Sequence, residues 1–142
     1  MIRTRPVEEG VEMAASCWAE QYNCAESVLR GVCHAQGIDL SDQGKRMATP
    51  FGGGVGRSED ICGALVGGVL AIGIVKGRTT PQEDRLAAYD TAGRLHRMFD
   101  EQFGSTSCRI LNMSDFKSVE HRPRCGRYVE AATRLTIQIL RS

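Results

Sequence analysis

The 142-residue sequence has no apolar run long enough to cross a membrane. Its longest apolar stretch, residues 61–75, is rich in glycine and falls short of the about 20 residues that a membrane-spanning helix needs. Residues 1–9 contain arginines and glutamates but no apolar segment typical of a secretory signal. We therefore expect a cytoplasmic protein without membrane insertion, in which residues 61–75 form a buried core helix.

Excess charge of one sign is also lacking, because the formal net charge is only +1. Most basic residues are scattered singly, and the one small cluster, HRPRCGR at residues 121–127, is interpreted as a solvated helix start. A chain of this kind has no general attraction to nucleic acid or anionic lipid. We expect no nucleic-acid partner.

Signals for β-strands are missing: there is no period-two alternation and no Asn-Gly hairpin turn. Apolar residues recur at helical spacing instead. The sequence predicts a compact all-α domain of about five helices covering residues 1–142. Residues 1–6 are expected to form a loose N-terminal segment, and a glycine-rich loop precedes the buried apolar helix.

Capping residues and prolines predict where the helices begin and end. Asn23 and Glu26 form a capping-box pattern, and Pro81 follows Thr80 as a first-turn residue. The predicted helical segments are residues 7–20, 23–37, 41–49, an apolar helix capped by Asp60 and ending at residue 77, 81–103, a short helix capped by Ser105 or Thr106 and ending at residue 111, and a last helix that Pro123 opens.

The glycine-rich stretch FGGGVGR lacks the spacing of a nucleotide-binding loop. A G-x-G-x-x-G pattern started at Gly52 ends on Arg57, and no strand precedes it. The phosphate-binding loop needs a terminal Gly-Lys-Ser/Thr, and no lysine is near. We interpret the stretch as a flexible turn that delivers Cys62 to the start of the apolar helix.

The six cysteines contain no C-x-x-C pair, which excludes zinc ribbons, thioredoxin-type motifs and c-type haem attachment. A disulfide framework is not expected in a reducing cytoplasm. Four of the six fall in the first turn of a predicted helix: Cys24, Cys62, Cys108 and Cys125. Free amides and the helix dipole there are expected to lower a thiol pKa. Four such termini together favour bound negative charge, such as an iron–sulfur cluster on four thiolates.

Several motifs in this order resemble a known family: YNCAESVLRG, FGGGVG, CGALVGG, CRIL and CGRYVEAA. They are similar to those of the redox-active protein family named for its C-GCAxxG-C-C cysteine pattern, although the triplet here reads Cys62-Gly63-Ala64. The resemblance implies four characteristic cysteines, which match Cys24, Cys62, Cys108 and Cys125. It leaves Cys17 and Cys33 as incidental core thiols.

Three chemistries remain open for the four cysteines. The first is an iron–sulfur cluster for electron transfer or redox sensing, with an unidentified redox partner protein. The second is thiol–disulfide exchange without a metal, and the third is a structural zinc site with four sulfur ligands. A scaffold protein with inert thiols is a fourth possibility. Electron transfer or another redox role is expected rather than stand-alone catalysis.

Two further features stay open at this level. His121 lies four residues before Cys125 and is the one plausible alternative ligand among the histidines. Gly63, Gly67 and Ala71 form a smooth ridge on the apolar helix. That ridge suits close packing of a neighbouring helix within the chain, or a homodimer interface.

Overall fold

A computed structural model of the protein describes residues 3–142. In this range the chain forms seven α-helices rather than about five, and no strand apart from one isolated bridge between Ile61 and Ser107. The all-α prediction is confirmed. The helices are α1 (Val7–Ala19), α2 (Cys24–Gln36), α3 (Asp42–Ala48), α4 (Gly63–Lys76), α5 (Leu86–Phe103), α6 (Cys108–Leu111) and α7 (His121–Leu140).

Two of the seven helices are short and are stabilised by local caps. The hydroxyl of Ser41 accepts a hydrogen bond from the Gly44 amide at the start of α3, and Ser107 accepts one from the Ile110 amide at the start of α6. Such side-chain caps satisfy amides that a helix start leaves free. Each short helix therefore persists as a separate element between longer ones.

Helices α1, α2, α4 and α7 pack around one buried core, which α5 completes with Leu95 and Phe99. Small residues permit very close crossings. A Cβ atom on Gly31 would lie 2.6 Å from the carbonyl oxygen of Gly10, so α1 and α2 touch through their backbones. No larger side chain fits at that crossing.

The glycine ridge of α4 packs against α2 within the chain. A Cβ on Gly67 would lie 2.6 Å from the carbonyl oxygen of Ala25, and Ala71 is fully buried. The ridge therefore brings α4 close to the N-terminal half of α2. A homodimer would have to use another surface.

Helix α5 begins at Leu86, five residues after the predicted start at Pro81. The Glu83 carboxylate accepts hydrogen bonds from the amide and hydroxyl of Thr79, and the Arg78 guanidinium donates to the carbonyls of Pro81 and Glu83. These bonds hold the segment as a turn. The predicted Thr80–Pro81 helix start is wrong because side chains satisfy the backbone there in a non-helical form.

Residues 3–6, part of the predicted loose segment, contact the C-terminal end of α2. The Arg5 amide donates to the carbonyl of Ala35 at 2.7 Å, and its guanidinium donates to the carbonyl of His34 at 2.6 Å. Residues 1 and 2 lie outside the described range. Within it, no helix is both long enough and apolar enough to pass through a bilayer.

Candidate functional site

Four cysteines from four helices surround one small cavity of about 110 Å³, here called the cysteine cavity. They are the four predicted from the helix starts and from the family resemblance: Cys24, Cys62, Cys108 and Cys125. All six cysteines of the chain are free thiols. Cys17 and Cys33 do not line this cavity and are buried elsewhere, with Cys17 next to the sulfur of Met13.

Cys24 is the first residue of α2, as predicted. The capping box fixes that start: Asn23 Oδ1 accepts from the Glu26 amide and Glu26 Oε1 accepts from the Asn23 amide, both at 2.9 Å. The backbone amides of Cys24, Ala25 and Gly53 donate towards the Cys24 sulfur. Cys24 is therefore held by backbone donors at a helix start.

Cys62 is the N-cap residue of α4, so the predicted cap at Asp60 lies two residues too early. The amides of Ala64 and Leu65 donate towards its sulfur. Gly63 follows Cys62 in the chain, and a Cβ atom on Gly63 would collide with the Cys24 sulfur. The absent side chain lets α2 and α4 bring their two cysteines together.

Cys108 is the first residue of α6, and its amide donates to the carbonyl of Asp60 at 2.5 Å. The predicted caps Ser105 and Thr106 are wrong, since Ser107 caps this helix. Cys125 departs further from prediction. Helix α7 begins at His121, so Cys125 is its fifth residue and lies outside the first turn. Pro123 is tolerated inside that first turn because its missing N–H would have no partner there.

The glycine-rich stretch forms a turn with left-handed backbone over residues 53–57, where every φ lies between +57° and +69°. It is not flexible: the amides of Gly56, Glu59 and Asp60 donate to the carbonyls of Pro50, Gly53 and Gly54 at 2.8–3.0 Å. Val55 adopts this conformation too, which costs a β-branched residue about 1–2 kcal/mol.

This left-handed turn contributes directly to the cysteine cavity. It places the Gly53 amide against the Cys24 sulfur. A Cβ atom on Gly54 would lie 2.8 Å from Cβ of Cys108, so only glycine fits there. The stretch was expected only to place Cys62 at the start of the apolar helix. The turn also supports Cys24 and Cys108.

Burial raises the pKa of all four thiols, contrary to the lowering expected from helix starts. Burial raises the pKa of Cys62 to about 12 and those of Cys108 and Cys125 to about 11, and the negative charge of Cys24 is a further cause in all three. For Cys24 the desolvation also outweighs its backbone hydrogen bonds. Without a bound cation, the cavity favours neutral thiols.

A buried polar network behind Cys108 and Cys125 was not anticipated. Asn112 is only 2% exposed, and its Nδ2 donates to the carbonyl of Cys108 at 2.9 Å. Its Oδ1 lies 3.5 Å from Cys125 Sγ and 3.3 Å from Nη1 of the buried Arg124. Arg124 also pairs with Asp115 at 3.2 Å. Residues 112–120 lie between the helix predicted to end at residue 111 and the one that Pro123 opens, and their sequence carries no signal of burial.

His121 lies next to Cys125, with its Nε2 3.3 Å from Sγ. It lines both the cysteine cavity and a wider neighbouring pocket of about 680 Å³, together with Asn23, Gly53 and Phe116. We call this the wide pocket. The Phe116 ring packs edge-on against His121. His121 therefore stands at the boundary between the cysteines and a space open to solvent.

No three His, Cys, Asp or Glu side chains within residues 3–142 are grouped so that they could hold a single metal ion. Tetrahedral coordination of one ion requires all its ligands within about 2.0–2.3 Å of one point. The four sulfurs instead surround a cavity.

Comparison with known proteins agrees with the cysteine pattern. A protein of Archaeoglobus fulgidus described as "Uncharacterized protein" is 33% identical over 131 residues, covering 86% of this chain and 87% of its own length. No solved structure matches the chain. The model of the family described as "Putative redox-active protein (C_GCAxxG_C_C)" matches residues 22–139, which include all four cavity cysteines. The chain belongs to this family.

Proposed function

We propose that the protein carries an iron–sulfur cluster on Cys24, Cys62, Cys108 and Cys125 and serves in electron transfer or redox sensing. The observation that carries the proposal is the meeting of four free thiols from four helices around one small cavity. Such a cluster would accept and release single electrons, and the protein would set its potential through burial and hydrogen bonds.

The surroundings of the cysteines fit such a group. Backbone amides point at the sulfurs of Cys24 and Cys62, and hydrogen bonds to thiolate sulfurs are a main way in which a protein tunes a cluster. The raised pKa values of the buried thiols also fit a bound metal group. Four buried thiolates repel one another unless a cation lies between them, and the irons would supply that charge.

The lack of a single-ion grouping among residues 3–142 favours a cluster over a single zinc ion. In a cluster held by four cysteines the thiolates are shared among the irons, so the sulfurs need not converge on a single point. The absence of a single-ion grouping in the described chain is compatible with this arrangement. Zinc would require a closed tetrahedron of sulfurs.

Thiol–disulfide exchange without a metal is the second candidate, because the free thiols are neighbours in one cavity. Exchange needs a thiolate, however, and burial raises the pKa of Cys62 to about 12. At neutral pH the thiolate fraction of such a group is very small. This favours the cluster.

Anaerobic purification tests the proposal. We expect a coloured protein that contains iron and acid-labile sulfide, and we expect the Cys62→Ala variant to lose both, while Cys33→Ala, which changes a buried thiol outside the cavity, retains them. A colourless wild-type protein without iron after anaerobic reconstitution with iron and sulfide would refute the cluster. Stoichiometric zinc would instead support a structural site, and reversible loss of two thiols on mild oxidation would support disulfide exchange.

A further inference from the structure

The wide pocket lies directly beside the cysteine cavity. Its volume is about 680 Å³, compared with about 110 Å³ for the cavity, and four residues line both spaces: Asn23, Gly53, Phe116 and His121. Pockets of about 300–1,000 Å³ are the usual size for binding a small organic molecule. A molecule in the wide pocket would therefore be separated from the four thiols by a single layer of residues.

One wall of the wide pocket is backbone without side chains. It consists of Gly52, Gly53 and Gly56, and we call it the glycine wall. A Cβ atom on Gly56 would meet nothing within 4 Å, so the space in front of that residue is open. A flat molecule can lie against bare peptide groups at contact distance, whereas side chains would hold it away. The glycine wall therefore suits a flat ligand.

Phe116 supplies an aromatic surface to the same pocket. Its ring is half-buried and packs edge-on against His121, with 5.3 Å between the ring centres and 82° between the ring planes. Aromatic side chains attract other flat rings through offset stacking and edge contacts. Pro50 adds a further apolar surface. These residues favour a ring compound over a sugar or a flexible chain.

The charged side chains that line the wide pocket leave one cation available to a ligand. They are Glu59 and Arg57. Glu59 is already paired, since its Oε1 lies 3.2 Å from Nε of Arg109. Arg57 forms no ion pair within residues 3–142. A guanidinium of this kind recognises carboxylate or phosphate groups, with which it can form two parallel hydrogen bonds.

The backbone of Arg57 places its side chain on the glycine wall. Arg57 has a left-handed φ of +66°, and its amide donates to the carbonyl of Gly52 at 3.3 Å. Its Cγ lies 3.1 Å from the position that a Cβ atom on Gly53 would take. The arginine side chain therefore begins across the same glycines against which a flat ligand would lie.

We propose that the wide pocket binds a flat ring compound that carries an anionic group. The ring lies against the glycine wall and Phe116, and Arg57 pairs with the carboxylate or phosphate of the compound. His121 lies between the compound and the cysteines. The binding needs no metal, whereas use of the compound as a small-molecule electron partner rests on the proposed function.

Two pairs of probes test the proposal. Flavin mononucleotide and riboflavin share one flat ring system and differ by a phosphate, and 2-naphthoate and 2-naphthamide differ by a carboxylate charge. We expect at least one of the two anions to bind wild-type protein about tenfold or more tightly than its uncharged partner, measured by titration calorimetry. The two pairs distinguish phosphate from carboxylate. If neither anion binds more tightly than its partner, the inference is wrong.

Substitutions in the wide pocket assign the two parts of the ligand. We expect Arg57→Gln to abolish the preference for the anion, and Phe116→Ala to weaken both members of the pair by about two- to tenfold. Arg97→Gln is the matched control, because Arg97 is an exposed arginine of α5 that does not line the wide pocket. Circular dichroism checks that each variant folds. An undiminished preference in Arg57→Gln would overturn the assignment.

The histidine side chains report where the ring lies. The chain has three histidines, of which His121 lines the wide pocket and His34 and His96 do not. The ring current of the bound anion should shift the imidazole nuclear magnetic resonance signals of His121 in the metal-free protein and leave those of the other two unchanged. Signals of His121 that do not move would overturn the inference. Wild-type protein that binds no iron after anaerobic reconstitution would instead overturn the proposed function and leave the binding site intact.

Discussion

Cys24 and Cys62 are held by backbone, whereas Cys108 and Cys125 are backed by side chains. In the first pair, helix starts and the left-handed turn direct amides at the sulfurs. In the second pair, the buried Asn112 bridges both cysteines. Backbone donors are present whatever the side chains, so the Cys24 and Cys62 pair, the backbone half of the site, depends on the close approach of α2 and α4. The Cys108 and Cys125 pair, the side-chain half, depends on the identity of a few polar residues.

The largest effect is expected when the backbone half is broken at Gly63. In Gly63→Ala the new Cβ would collide with the Cys24 sulfur and lie 2.9 Å from the carbonyl of Phe51. Overpacking of this kind costs about 1–3 kcal/mol of unfolding free energy. We expect a lower thermal midpoint together with loss of bound iron, measured by calorimetry and metal analysis.

Gly73→Ala is the matched control for Gly63→Ala. It changes the same residue type in the same helix, and a Cβ there meets nothing within 4 Å. Alanine should stabilise α4 by about 1 kcal/mol relative to glycine. If both variants behave alike, close approach of α2 and α4 is not what supports the first pair of cysteines.

A smaller effect is expected when the side-chain half is broken at Arg124. Arg124→Met keeps much of the side-chain volume but removes the donors to Asn112 and Asp115. The Asn112 amide is then free to turn its nitrogen towards Cys125. We expect reduced stability to urea and, in the reconstituted protein, a shifted reduction potential. A potential equal to that of wild type would show that Arg124 supports the fold alone.

The smallest effect concerns the pH dependence contributed by Asp115. Hydrogen bonds from Ser118, and then the Arg124 guanidinium, hold the pKa of this carboxyl well below its usual range. A lowered pKa stabilises the folded state above the unfolded pKa of about 3.9, and that contribution is lost as the pH falls towards the folded value. Wild type should therefore exceed Asp115→Asn in stability at pH 7, with a gap that narrows below about pH 4. Urea unfolding of both proteins at pH 7 and below about pH 4 measures this difference in unfolding free energy. A difference that does not change with pH would contradict the prediction.

How far the sequence predicts the structure depends on the range of the interactions involved. The start of α2 was correct because the capping box of Asn23 and Glu26 is entirely local. The start of α5 was wrong because Arg78 and Thr79 both donate hydrogen bonds to Glu83 in a turn that competes with the helix. Pro123 was expected to be the first residue of α7, but the helix begins two residues earlier, at His121. Cys125 therefore lies in its second turn.

The pKa directions show the same limit. A helix start alone predicts a lowered thiol pKa, which is the local effect. Burial among other thiols acts in the opposite direction and is larger, so the pKa of Cys108 rises to about 11. Burial is a property of the packed chain and is not visible in the spacing of the cysteines.

The sequence by itself determined the helical class, most helix positions and the four cysteines of the family pattern, because capping, apolar periodicity and the cysteine motifs act over a few residues. Only the tertiary structure decided that the four thiols share one cavity and that the glycine stretch is a fixed left-handed turn. It alone set the Asn112 oxygen against Cys125. These features arise where segments distant in sequence exclude water and satisfy each other's polar groups, and no single segment encodes that arrangement.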